Sequence, residues 1–129
     1  MLANHNAAIN LAVRDIDVAR KFYVETLGLT LERQQGDFLL SFKTGETRLL
    51  VYKSENAGTN KATALTWPVG DEFDGLLTEL KAKGVTFEHY PGLTNATVDG
   101  DIPINDSGNH RIAWFKDPDG NILSVSQHV

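Results

Sequence analysis

The chain of 129 residues contains no cysteine, which excludes disulfide staples, thiolate metal ligands and a thiol nucleophile. No apolar run approaches the length of a bilayer span, and Met1-Leu-Ala-Asn-His5 lacks the basic-then-apolar pattern of a secretory signal. A cytoplasmic protein with no membrane partner is therefore expected. Basic residues are the minority: 12 Lys and Arg against 17 Asp and Glu leave a net charge of −5. That balance argues against nucleic acid and anionic surfaces as partners and is compatible with a cationic ligand. There is no nucleophile elbow, no phosphate-binding glycine loop and no Ser/His/Asp set at a spacing that would assemble it. Asn95-Ala-Thr and Asn105-Asp-Ser match the glycosylation triplet, but without a secretory signal they read as coincidence.

What is present is an ordinary globular composition, 41% hydrophobic and 22% charged, in a length suited to one domain over residues 1–129. Within it lies a repeat. Ile9 to Glu32 aligns with Leu65 to Glu88, so that Ala8 meets Ala64, Val13 meets Val69, Asp15 meets Asp71, and Gly28 meets Gly84. Each copy begins with alternation: Ile9, Leu11 and Val13 against Ala8, Asn10 and Ala12, then Leu65, Trp67 and Val69 against Ala64, Thr66 and Pro68. Alternation of this kind predicts a strand with one apolar face.

A helix follows in each copy. Asp15 or Asp17 is placed to cap the first, with Ala19, Phe22, Tyr23, Thr26 and Leu27 as its buried stripe and Gly28 as its stop. Asp71 is placed to cap the second, with Phe73, Leu76, Leu77 and Leu80 as its stripe and Gly84 as its stop. Further strands are expected at about 29–35, 37–43 and 47–53, and again at about 85–90, 110–116 and 121–127. The expectation is an α+β fold of two tandem βαβββ modules, about 5–55 and 62–127. One helix covers one face of each module's sheet, and the small residues of the other faces curve around a cleft. Pro91 to Asn109 is a long aperiodic stretch, expected as a flap over that cleft or as a surface loop.

The last strand pair carries the most specific local signal. Asp117-Pro-Asp-Gly120 reads as a tight turn, because Pro118 presets φ and Gly120 tolerates a positive one. Beyond it Ile122, Ser124 and Ser126 alternate with Leu123 and Val125, which puts Ser124 in the middle of the cleft face. The periodicity with Ala113 turns Phe115 inward and leaves Trp114 on the cleft side as a flat stacking surface. His110 and Ile112 share that face, so His110 is a candidate general base or ligand contact at the rim, or else a strand-edge histidine. Asn10 and Thr66 are small polar groups among apolar walls, able to orient a mostly apolar ligand or to make a structural hydrogen bond. His5, His89 and His128 show no metal-ligand spacing and read as exposed or capping residues. The 117–121 segment lacks the order and distal glutamate of a calcium loop.

"LAVRDIDVARKFYVETLGL", the duplicated plan and the closing "AWFKDPDGNILSV" resemble the vicinal oxygen chelate superfamily. It includes glyoxalase I, extradiol dioxygenases, fosfomycin-resistance transferases and bleomycin-resistance proteins. In its metal-dependent members the resemblance implies a histidine seven residues before the capping aspartate, a second ligand at the matching place in the second module, and a glutamate four residues after the turn glycine. Those positions hold Ala8, Ala64 and Ser124, and the first-module counterpart of Ser124 falls at about Leu49. Two methyls and a hydroxyl do not replace the hydration shell of a divalent ion, so neither metal nor other cofactor is expected.

The expected function is metal-independent binding of an aromatic or cationic small molecule, in the manner of a bleomycin-resistance protein. The ligand contacts would be Asn10, Thr66, His110, Trp114 and Ser124. The alternatives are a glyoxalase-, lyase- or dioxygenase-type enzyme with non-standard metal ligands or a metal-free His110 base, and a module whose cleft is vestigial. The resemblance also implies a homodimer.

Overall fold

The protein, seen in a computed structural model that describes residues 1–128, divides into two compact units, Met1–Thr59 and a second beginning at Asn60. The first unit contains β1 (Ile9–Val13), α1 (Ile16–Lys21), β2 (Thr30–Gln35), β3 (Leu39–Thr44) and β4 (Thr47–Lys53). Its sheet has the order β1-β4-β3-β2, with β1 parallel to β4 and the other pairs antiparallel. Asp15, not Asp17, caps α1: its Oδ1 accepts from the N–H groups of Asp17 at 2.8 Å and Val18 at 3.1 Å.

After α1 the chain widens into a π turn over Phe22–Thr26, where the Leu27 N–H donates to the Phe22 carbonyl at 3.0 Å. The wider turn changes which side chains are buried. Of the expected stripe only Ala19 and Tyr23 are enclosed, joined by Ile16, and Tyr23 packs on Phe42 with ring centroids 5.7 Å apart. Leu40, Phe42, Leu49 and Val51 complete this core from the sheet. Full burial stabilises each such side chain by about 1.5–3 kcal/mol. Gly28, at φ 74°, ends the helical segment in the left-handed region as expected.

The second unit contains β5 (Thr63–Pro68), α2 (Phe73–Ala82), β6 (Ala96–Val98), β7 (Ile102–Asp106), β8 (His110–Lys116) and β9 (Ile122–His128). The sheet order is β5-β9-β8-β7-β6, with β5 parallel to β9. Phe73 and Leu77 of α2 are fully buried, together with Ala113, Phe115 and Leu123. Arg111 fastens β8 to the helix, its guanidinium 4.7 Å from the Phe73 ring centroid and 2.8 Å from the Asp74 carboxylate. Asp71 does not cap α2: it lies in a short 3₁₀ turn, Gly70–Glu72, and the helix begins after Glu72 with no side-chain cap. Gly84, at φ 95°, does terminate it.

Two expectations for this unit are corrected. The strand expected at about 85–90 is reduced to one bridge, Phe87 to Phe115, and one bond from the Glu88 N–H to the Trp114 carbonyl at 2.8 Å. The 91–109 stretch, expected as a flap or loop, instead folds largely into the β6–β7 hairpin, and β7 pairs with β8 at Asn105–Ile112 and Asp106–Arg111. The outer edge of β8 is thus shared between two segments. Pro91 has no N–H to continue a ladder, and a turn on the Tyr90 carbonyl, which accepts from Leu93 and Thr94 at 2.9 Å, diverts the chain. Asp99 at φ 54° and Gly100 at φ 84° then reverse it, the conformation of a tight hairpin turn. Val98, Ile102 and Ile104 are buried by this arrangement, whereas Leu93 stays 52% exposed. Among the described residues no helix is long and apolar enough to cross a membrane.

Candidate functional site

The Asp117–Asn121 turn sets the geometry of the site because it fixes the register of β8 against β9. The buried Asp117 carboxylate accepts from the N–H groups of Asp119 at 3.0 Å and Asn121 at 2.9 Å, and from the Asn121 side-chain amide at 2.8 Å. A carboxylate so occupied is a structural element of the turn. From it Phe115 pairs with Leu123, Trp114 with Ser124 and Ile112 with Ser126. Residues paired across a ladder share a face, and the face alternates along the strand. Ala113, Phe115, Leu123 and Val125 therefore meet α2, while Trp114, Ser124 and Ser126 point the other way, as the alternation predicted.

On the β5 side Thr66 is opposite Ser124, so Trp114, Ser124 and Thr66 form one row across three strands. Ser124 is fully enclosed and shares a hydrogen bond of 2.6 Å with the Thr66 hydroxyl. Its hydroxyl also lies 3.4 Å from the Leu65 carbonyl, so a proton donated by Thr66 leaves both serine and threonine satisfied.

The other residues singled out in the sequence fall elsewhere. His110 shares the Trp114 face but lies four residues along β8, roughly 13 Å away at strand spacing. It stands opposite His128, and the two imidazoles lie with ring centroids 4.4 Å apart. Asn10 belongs to the first unit, where it is exposed and sits in a row with Leu50 and Ser41. That register corrects one correspondence: the counterpart of Ser124 in the first unit is Leu50, because Leu49 is turned into the helix-side core. A shift of one residue along a strand exchanges the two faces.

The positions at which the resemblance implies metal ligands are not equipped for one. Ala8 precedes β1 and is exposed, Ala64 is a methyl in β5, and the Ser124 hydroxyl is already engaged. Among the described residues there is no group of three or more His, Asp or Glu arranged to hold a metal ion. This donor set does not fit the divalent metal of the superfamily's metal-dependent members.

Beside Trp114 lies a feature that sequence reasoning missed. A pocket of about 250 Å³ is lined by Lys61, Thr63, Tyr90, Leu93, Trp114 and Ile122, with Ala62 at its edge. Tyr90 and Trp114 form an edge-to-face pair in its wall, with centroids 5.4 Å apart and planes at 78°. The Tyr90 hydroxyl is covered and has no hydrogen-bond partner among the described residues. Burial, reinforced by the Glu88 carboxylate and partly offset by Lys116, pushes the Tyr90 phenol above its ordinary value. Glu88 and Lys116 are themselves paired at 3.2 Å. Trp114 was legible as a stacking surface, but for Tyr90 the sequence signal is Tyr90-Pro-Gly92 at the end of an apparent strand, which marks a turn without revealing what the ring touches.

Solved structures with this fold perform different tasks. An antibiotic-binding protein from Streptomyces sp. CB03234 superposes with a TM-score of 0.69 at 22% identity, covering 97% of this chain and 98% of its own. A fosfomycin resistance protein from Listeria monocytogenes gives 0.73 at 15% identity, over 97% of this chain and 91% of that one. A lactoylglutathione lyase from Agrobacterium tumefaciens gives 0.67 at 20%, over 95% and 94%. At such identities the likeness establishes the fold alone. The sequence pattern of one family nevertheless runs through residues 4–125, and by that match the chain belongs to the glyoxalase/bleomycin resistance protein/dioxygenase superfamily.

Proposed function

We propose that the protein is a metal-independent binder of a small aromatic molecule, held on the β5–β9–β8 face beside Trp114. One observation carries the reading: an aromatic-walled pocket adjoins a Trp114–Ser124–Thr66 row from which the metal-ligand chemistry of the superfamily is missing. Stacking against Tyr90 and Trp114 would supply affinity, and the Thr66 hydroxyl a polar contact, the usual division in a ligand site. A sequestering role is in keeping with such a face, and one protein of this fold is an antibiotic-binding protein. The enzymatic alternative with His110 as base has less support, since His110 lies at the far end of β8 against His128.

The test is tryptophan fluorescence and thermal shift against a panel of planar aromatic compounds, with elemental analysis of protein purified without chelators. Saturable quenching that is lost in Trp114→Ala, with no stoichiometric metal, is the expected result. A stoichiometric divalent ion, or turnover of a panel compound, would sink the reading. The homodimer belongs to the same proposal, and light scattering that returns the protomer mass of 14.2 kDa would remove it.

A further inference from the structure

We infer that the pocket beside Trp114 selects aromatic ligands bearing an anionic oxygen, which Tyr90 recognises by donation and Lys61 by charge. This rests on the aromatic-binding reading and adds the polar chemistry of the ligand.

The argument comes from unsatisfied groups. Among the residues that line the pocket, Tyr90 has a covered hydroxyl with no partner among the described residues, and the Lys61 ammonium has no partner there either. A covered hydroxyl without a partner forgoes the hydrogen bond it would make in water, and the free energy is recovered when an acceptor arrives. An ammonium is a donor only. The ammonium therefore calls for an acceptor atom, to which the phenol O–H is also able to donate, and no carboxylate lines the pocket to balance the lysine. Glu88 opposes an anion at Tyr90, and Lys116, paired with it at 3.2 Å, offsets that influence in part. A cationic ligand would meet Lys61 with no pocket carboxylate to compensate. The sign of the net charge over the whole chain, −5, is thus a poor guide to this site. The volume, about 250 Å³, suits one or two fused rings. Because the hydroxyl is covered, an acceptor reaches it only with a rearrangement of the groups over it.

The experiment compares three ligands of one shape by calorimetry: naphthoate, naphthylmethanol and naphthylmethylammonium. Naphthoate is expected to bind at least about tenfold more tightly than the cation, with an affinity that falls as salt is raised. Tyr90→Phe should weaken naphthoate about tenfold, the loss of a hydrogen bond to a charged acceptor, while changing naphthylmethylammonium little. Lys61→Gln, at an exposed position where substitution should leave the fold intact, should weaken naphthoate a few-fold and flatten its salt dependence. Equal binding of all three, or naphthoate binding indifferent to both substitutions, would overturn the anion inference and leave aromatic binding standing. No binding by any of the three, nor by the wider planar panel, would overturn the reading beneath it.

Discussion

Replacing Tyr90 with phenylalanine removes one oxygen from the pocket and leaves the ring against Trp114. In most proteins deleting a covered hydroxyl costs stability because a hydrogen bond is lost with it. Here the hydroxyl has no partner among the described residues, so the substitution relieves an uncompensated desolvation. The penalty for such a group is roughly 1–3 kcal/mol, and the low end applies because the side chain is only half-buried. A gain of about 1 kcal/mol raises the melting temperature of a domain this size by about 4 °C.

The same substitution has a pH signature. The folded-state phenol titrates above the ordinary value of 10.0, through burial first and Glu88 second. The unfolded chain therefore releases this proton at lower pH than the folded one. Its contribution to stability is whole below pH 10 and is lost as pH rises through the folded value. The gap in stability between wild type and Tyr90→Phe should therefore widen above about pH 10. Calorimetric or circular-dichroism melts at neutral and alkaline pH measure both effects. A Tyr90→Phe protein that melts several degrees below wild type would refute the reasoning, since the hydroxyl would then hold a bond that matters. Stability and binding are expected to move in opposite directions in this one variant, a pattern a purely structural tyrosine would not produce.

Other perturbations probe the frame of the site. Asp117→Ala removes an acceptor of three hydrogen bonds inside the β8–β9 turn and should cost about 3 kcal/mol in urea unfolding; a loss below about 1 kcal/mol would mean that the turn is held by its backbone alone. Ser124→Glu restores the carboxylate expected of a metal-dependent relative, but it puts a charge at a fully enclosed position. It should destabilise by about 3 kcal/mol and show no thermal shift with manganese or zinc. A metal-dependent rise in melting temperature would show that ligands do converge there. Gly100→Ala, at φ 84° in the β6–β7 turn, should cost about 1–2 kcal/mol by melting; no change would mean that the turn can be rebuilt without left-handed backbone.

Much of this molecule was legible before any coordinates. Alternation in Ile9–Val13 and Ile122–Ser126 predicted both strands and their inward residues, and the Asp-Pro-Asp-Gly turn marked a hairpin found where expected. Gly28 and Gly84 marked real helix ends. The errors have particular causes. Asp71 looked like a cap because it matches Asp15 in the repeat, yet a 3₁₀ turn intervenes before α2. The 91–109 stretch looked aperiodic because its hairpin strands are short, although Asp99-Gly100 was a readable turn signal. Counting along the sequence puts the counterpart of Ser124 at about Leu49, whereas the strand register puts it at Leu50, and one residue is enough to reverse a strand's faces.

The sequence by itself determined the local periods, the turn chemistry, the superfamily and the absence of metal-ligating side chains at Ala8, Ala64 and Ser124. Those are properties of residue type and spacing, and they survive any error in pairing. Only the tertiary structure decided that Tyr90 faces Trp114, that Lys61 borders the same pocket, and that Ser124 bonds to Thr66 across 58 residues of chain. Each of these depends on which strands lie side by side and in which register. Such long-range pairings are set by the collective packing of the core, so no local pattern contains them.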